Sequence, residues 1–326
     1  MKKTTSSLLA SILCLTLAGC STGGSAGTEP SGEPESDKIS VGIVQLVAHP
    51  ALDEATRGFR EVLEAEFGDS IEIHYQEAAG DSTTCVTIAS TFVNEKVDLI
   101  MANATPALQA AASATNEIPI LGTSITEYGV ALDLTDFNGT VGGNISGTSD
   151  LAPLDQQAAM FDELLPDAKK IGILYCNAEA NSVYQAEVVK AELEKAGKTV
   201  TVYRFTDTND VAAVTQQAVN ENDALYIPTD NTAASCTEAI NNVALPAGIP
   251  IICGEEGITK GCGIATLSIN YYDLGRTTGE MAVRILKGES ISDMPIEYFQ
   301  NPIKKYDVER CKELGIKIPD GYEPIE

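Results

Sequence analysis

In the stretch YIPTDNTAASC (residues 226–236) an apolar run stops at Pro228 and presents Thr229, Asp230 and Asn231 just before a helical pattern begins. About 125 positions earlier (Asp98 against Asp223), VDLIMANATPALQAA (97–111) does the same, offering Thr105 ahead of Pro106. Thr105 followed by Pro106 suits the N-cap and first position of a helix, and Asp230 or Asn231 would cap its counterpart. A helix start offers unpaired N–H groups and partial positive charge, which suit a carboxylate. An acid in the same place, Asp230 or Glu255, suits an ammonium. A cleft with both would meet an α-amino acid. Most helices are capped, so the repeated placement counts for more than any single cap.

The elements that must position these groups are read from periodicity. KISVGIVQLV (38–47) is an apolar, β-branched run; HPALDEATRGFREVLEAEF (49–67) has helical spacing; SIEIHYQEA (70–78) alternates; CVTIASTFVNEK (85–96) is helical; VDLIMAN is a buried strand, and EIPILGTS (117–124) closes the unit. The second half repeats the order with AKKIGILYCN (168–177), SVYQAEVVKAELEKAG (182–197), KTVTVYRF (198–205), DVAAVTQQAVNEN (210–222), DALYIPTD (223–230) and GIPIICGEEG (248–257). Asp98 and Asp223, and Pro119 and Pro250, fall in matching places. Apolar strands alternating with helices imply parallel sheets covered on both faces. The expected fold is α/β: two doubly wound parallel-sheet lobes joined by a hinge. Ligands of such sheets sit outside the carboxyl ends of the strands, so residues 45–49, 103–105 and 123–126 should face 176–182, 229–231 and 254–256.

Ahead of this body, Lys2 and Lys3 precede an apolar stretch and LAGC ends at Cys20, the pattern of a lipoprotein signal peptide (1–19) with Cys20 as the lipidated residue. Residues 21–37, STGGSAGTEPSGEPESD, hold nothing that can be buried and read as a tether with a reach of roughly 20–25 Å. The expected protein is anchored to a membrane and does not span it. Loss of residues 1–19 leaves 19 basic against 47 acidic side chains, since two of the 21 bases lie there. So acidic a surface repels nucleic acid. The six later cysteines (85, 176, 236, 253, 262 and 311) show no CxxC spacing; Cys253 and Cys262 are near enough to bridge, and buried free thiols are the other reading. His49 and His74 alone make a poor metal site. No cofactor is implied.

HPALDEATRGF, KVDLIMANATPALQAAASAT, GTSDLAP, EANSVYQ, YIPTDNT and SINYYDLGRTTGEMAVRILKG together resemble the substrate-binding lipoproteins of ABC importers, of the group that includes tryptophan-, tyrosine- and phenylalanine-binding members. The resemblance spans residues 38–319. It implies a type I periplasmic-binding fold, a ligand clamped between lobes, and delivery to an ABC permease and its ATPase by an extracytoplasmic, monomeric protein held by its lipid. The lobes would comprise 38–147 with 271–295, and 148–270 with 296–326. The implied cleft residues are Gln45, Thr105, Ser124, Ser182, Thr229, Asp230, Asn231 and Glu255. Thr105, Ser124 and Ser182 are assigned to the ligand's carboxylate, and Asp230 and Glu255 to its ammonium. Relatives often carry Asp-Pro where this chain reads SITEYG (124–129), and Asp in place of Asn270, which leaves the ligand's identity open.

Two other classes compete. A cofactor-independent amino-acid racemase would set one Cys on each rim as paired acid and base; Cys176 fits, but residues 45–50 hold no thiol. A sugar-binding or sensory lipoprotein shares the fold, yet sugar clefts usually stack rings on aromatic faces, and the chain has no Trp and seven Phe.

Overall fold

The computed structural model describes residues 38–299 and 301–325. The signal peptide, the tether and Cys20 lie outside the described residues. Among those described, no helix is long and apolar enough to cross a membrane.

The first lobe is built from β1 (Ile39–Gln45), α1 (Pro50–Phe67), β2 (Ile71–Glu77), α2 (Ser82–Glu95), β3 (Leu99–Asn103), α3 (Thr105–Ala114), β4 (Ile120–Ile125), α4 (Tyr128–Ala131) and β5 (Ile145–Ser149). The second contains α5 (Leu154–Leu164), β6 (Lys170–Cys176), α6 (Ala180–Lys195), β7 (Thr199–Phe205), α7 (Val211–Glu221), β8 (Ala224–Ile227), α8 (Asn231–Ser235), α9 (Thr237–Ala244), β9 (Ile251–Cys253), α10 (Glu256–Cys262) and β10 (Ala265–Ser268). The chain then returns to the first lobe with α11 (Tyr271–Leu286) and β11 (Glu297–Tyr298), and ends on the second with β12 (Ile303–Tyr306), α12 (Val308–Glu313) and β13 (Glu323–Pro324).

The sheets run β11-β5-β4-β3-β1-β2 and β13-β12-β10-β9-β8-β6-β7. Their five-strand cores share one order, and every core pair is parallel. The matched residues do matched work. Asp98 accepts from Ser40 N at 2.8 Å, and Asp223 accepts from Lys169 N and Lys170 N at 2.8 Å. Pro119 O receives Ile100 N, and Pro250 O receives Leu225 N, both at 2.9 Å. The same side chains therefore set the strand starts in both lobes, as a duplicated unit requires.

Three crossovers join the lobes, after Ser149, Ser268 and Tyr298. The last differs from the boundary expected at residue 295. Glu297 and Tyr298 pair with Thr148 and Ser149, so this segment stays on the first sheet as its edge strand. Buried Val41, Ile43, Leu99 and Met101 pack beneath α1 and α11 on one face of that sheet, and Phe92, Ile100 and Leu108 lie on the other. All six cysteines in the described residues are free, so Cys253 and Cys262 are not bridged.

α11 is held to α1 by backbone approach. A methyl group on Gly275 would overlap the Ala55 carbonyl, and one on Gly58 would overlap the Tyr272 carbonyl. Overpacking of this kind costs about 1–3 kcal/mol or more. Gly275→Ala is expected to lower the melting temperature by several degrees in calorimetry; an unchanged midpoint would mean that the helices can slide apart at no cost.

Candidate functional site

The carboxyl ends of the strands form one rim on each lobe, and the strand order fixes the sequence of groups along each. From β5 to β1, the first lobe presents Asp150, then Ser124 and Thr126, then Thr105, then His49. From β10 to β6, the second presents Glu255, Thr229 to Asn231, then Glu179 to Ser182, with Tyr271 at the start of α11 on the crossover after β10. The rims meet. Tyr271 OH donates to Asp150 Oδ2 at 2.9 Å, Gln185 Nε2 to Thr126 Oγ1 at 3.5 Å, and His49 Nε2 lies 3.3 Å from Asn231 Oδ1. One interlobe crevice brings Leu46, Val47 and Pro106 against Cys176, Glu179 and Asn231. A second sets Pro50 and Ala51 against Glu255 and Tyr271.

The helix starts on the two rims differ. α8 is capped twice: Asp230 accepts from Ala233 N and Cys176 N, each at 2.7 Å, and Glu179 accepts from Asn231 N at 3.0 Å and Thr232 N at 2.8 Å. α10 is capped by Glu255, through Gly257 N and Ile258 N. By contrast, α3 begins at Ala104, in the left-handed region at φ 90° with no side chain able to cap, and α6 also has no side-chain cap. Acids cap α8 and α10 in lobe two and α2 and α4 in lobe one, through Asp81 and Glu127, while the start of α3 has no side-chain cap.

Among the described residues, six buried side-chain polar atoms have no hydrogen-bond partner, and four of them belong to the rims: His49 Nδ1, Ser124 Oγ, Asp150 Oδ1 and Asn181 Oδ1. Native proteins leave few such atoms unpaired, because each costs about 1–3 kcal/mol. Ser124 also sits at φ 56°, where the β4–β5 register shifts, and an outlier of this sort marks a side chain re-aimed for a purpose.

The electrostatics have one sign. Burial raises Asp150 to about 6, Glu255 to about 7 and Asp230 to about 8, the last also pushed up by the neighbouring Glu179. The buried base among the described residues, Lys198, is paired with Asp162 at 2.7 Å. The rims therefore hold buried carboxylates with no buried cation facing them, which is an environment short of positive charge.

The expected site residues are distributed as follows. Thr105, Ser124, Ser182, Thr229, Asp230, Asn231 and Glu255 all stand on the rims. Asn231 is pinned between Glu179 and His49, and Thr229 is gripped through its backbone by Asn181 and Gln185. Ser182 Oγ is met by Asn181 Nδ2 at 3.3 Å. Gln45 is a correction. It is fully buried beneath α1, donating to Asp53 Oδ1 at 2.7 Å and accepting from Thr56 Oγ1 at 2.6 Å, so it braces the β1–α1 turn instead of facing the gap. Both oxygens of Asp230 and of Glu255 are likewise committed to backbone N–H groups. Of the rim carboxylates, Asp150 is the one with an oxygen left over. Sequence reasoning missed it, although GTSDLAP placed it one residue past a strand. Glu179 and Asn181 were missed as individuals, and His49 was placed on the rim without a role.

Residues 40–322 match the family described as ABC transporter substrate binding protein. The tyrosine-binding protein of Clostridioides difficile is 38% identical over 301 residues, covering 90% of this chain and 87% of that protein. An ABC domain from Streptococcus pneumoniae in complex with L-Trp superposes with a TM-score of 0.84 at 34% identity, over 88% of this chain and 100% of that one. The ligand-free, open structure of a substrate-binding protein with adhesive properties from Clostridium difficile is nearer in sequence at 38%, yet reaches only 0.67 over 88% and 99% of the two chains. The fold here thus departs more from that open structure, and hydrogen bonds join its rims. By fold, by rim chemistry and by the span of the match, the chain belongs to the ABC transporter substrate-binding protein family.

Proposed function

We propose that the protein captures a free amino acid, aromatic or otherwise hydrophobic, between its lobes and presents it to an ABC permease and ATPase. It works as a monomer outside the cytoplasm, tied to the membrane through Cys20 and the tether at 21–37. The observation that carries this reading is the pairing of a spare, buried carboxylate oxygen on Asp150 with an uncapped helix start at Thr105 two strands away. The ammonium is met by Asp150, backed by Glu255; the carboxylate is met by the first turn of α3 and by Ser124 Oγ. This amends the expected assignment, because Asp230 now serves by holding α8 and β6 in place. The names of the tyrosine-binding relative and the L-Trp complex support the ligand class.

A ligand touching both rims favours the closed state because it gains contacts there that the open state lacks. Catalysis finds no support in the rim chemistry. Burial pushes the Cys176 thiol up to about 11, the opposite of what a thiolate base needs, and residues 45–50 supply no partner thiol. A sugar would answer neither the charge deficit nor the open helix start.

In a thermal-shift screen of the twenty amino acids and common sugars against residues 36–326, an amino acid is expected to raise the melting temperature with concentration. A shift with sugars alone would overturn the reading. Asp150→Asn keeps the Tyr271 contact in shape but removes the charge, and should weaken amino-acid binding by tenfold or more, as lost charge-assisted bonds of about 1.5–3 kcal/mol imply; unchanged affinity in titration calorimetry would contradict the assignment.

The pH dependence has a definite sign. Asp150, Glu255 and Asp230 have folded-state values of about 6, 7 and 8, above their unfolded ones, so the closed, empty form binds more protons than the unfolded chain between pH 4 and 8 or so. Its stability should accordingly fall as pH rises from about 5 to 8. Ligand should offset part of that fall, since an ammonium favours the ionised carboxylates. A ligand-free melting temperature that climbs over this range would contradict the electrostatic picture.

A further inference from the structure

His49 stands at the end of the first rim farthest from Asp150, because β4 and β3 lie between β5 and β1. At about 4.8 Å per strand the two ends are roughly 14 Å apart. The second rim faces them in the same order, with Tyr271 against Asp150 and Asn231 against His49. Those two partners follow β10 and β8, two strand spacings or about 10 Å apart.

The tautomer of His49 follows from its neighbours. Asn231 donates through Nδ2 to Glu179 Oε2 at 2.6 Å, and a carboxylate can only accept. The atom that Asn231 turns toward His49 is then its oxygen, 3.3 Å from Nε2, so Nε2 carries the proton. Burial holds the imidazole below its ordinary pKa and hence neutral at pH 7. Nδ1 is left as a bare acceptor, buried and without a donor. Asn181 Oδ1, tied through its own Nδ2 to the same Glu179, is a second acceptor without a donor at this end.

We infer that His49 Nδ1 reads the tip of the ligand's side chain, and that the ligand carries a hydrogen-bond donor there, as a phenol does and a phenyl does not. The inference rests on the amino-acid reading, with the ammonium at Asp150. An ammonium held there is too distant to serve His49 as well. In an extended tyrosine the ammonium and hydroxyl lie about 7 Å apart by standard bond lengths. With a hydrogen bond of about 2.8 Å at either end its reach is about 12–13 Å, of the same order as the roughly 14 Å of three strand spacings. A phenylalanine would bury the same acceptor unmet, and sites built to bond a substrate hydroxyl discriminate strongly against the analogue lacking it.

The test is titration calorimetry of L-tyrosine and L-phenylalanine on the unaltered protein, His49→Leu and His49→Gln. The unaltered protein is expected to bind L-tyrosine at least about tenfold more tightly, the factor that one unmet buried acceptor implies. His49→Leu should bring the ratio close to one, whatever the loss of the Asn231 contact costs both ligands, and His49→Gln, which retains an acceptor, should keep part of the preference. Equal affinities in the unaltered protein would overturn the inference without recourse to any variant, and so would a His49→Leu protein that keeps the ratio. Either result leaves the amino-acid reading standing; failure of all amino acids to bind would instead remove that reading and this one with it.

Discussion

Closing two polar rims on one another takes carboxylates out of water, and the rest of the structure answers that constraint. Asp150, Glu179, Asp230 and Glu255 are all buried where the lobes meet. Three of them are held by backbone N–H groups at the starts of α8 and α10, which is how a protein keeps buried acids without buried bases. Asp150 alone retains an unpartnered oxygen, and it sits on a crossover, where both lobes must move relative to it. The proposed zwitterion would set its ammonium beside Asp150 and its carboxylate beside the start of α3.

The duplicated architecture makes this possible. Each lobe places its polar groups at the carboxyl ends of parallel strands, and two copies turned rim to rim give a gap whose two sides can be built independently. The copies have diverged in one useful respect. In lobe two, α8 and α10 are capped by Asp230 and Glu255, while α3 in lobe one has no side-chain cap at Ala104. Hydrogen bonds between the rims include Gln185 to Thr126 and His49 to Asn231, and Tyr271 meets Asp150 where two crossovers pass.

Much of this was legible in the sequence. Apolar strands alternating with amphipathic helices, and the matched pairs Asp98/Asp223 and Pro119/Pro250, carried the duplication, and each pair does the same backbone work in its lobe. Rim membership was legible too, because it follows from position relative to a strand's end. Side-chain direction was not. Gln45 is the last residue of β1 and turns under α1, whereas Ser124, inside β4, takes a positive φ at a register shift that no pattern announces. Asp150 eluded the reading because its role depends on a crossover brought against Tyr271, 121 positions later. The edge strand at Glu297 and Tyr298 was hidden by its brevity, since two residues carry no periodicity. His49 was placed on the rim by its position after β1, but its tautomer depends on Asn231 and Glu179.

The most direct measurement is a crystal structure of the protein with the amino acid that stabilises it most. The account predicts the ligand between the rims, its ammonium nitrogen within about 3 Å of Asp150 Oδ1 and its carboxylate at the first turn of α3. A ligand lying outside the gap, or one bound with its carboxylate turned toward Asp150, would contradict it.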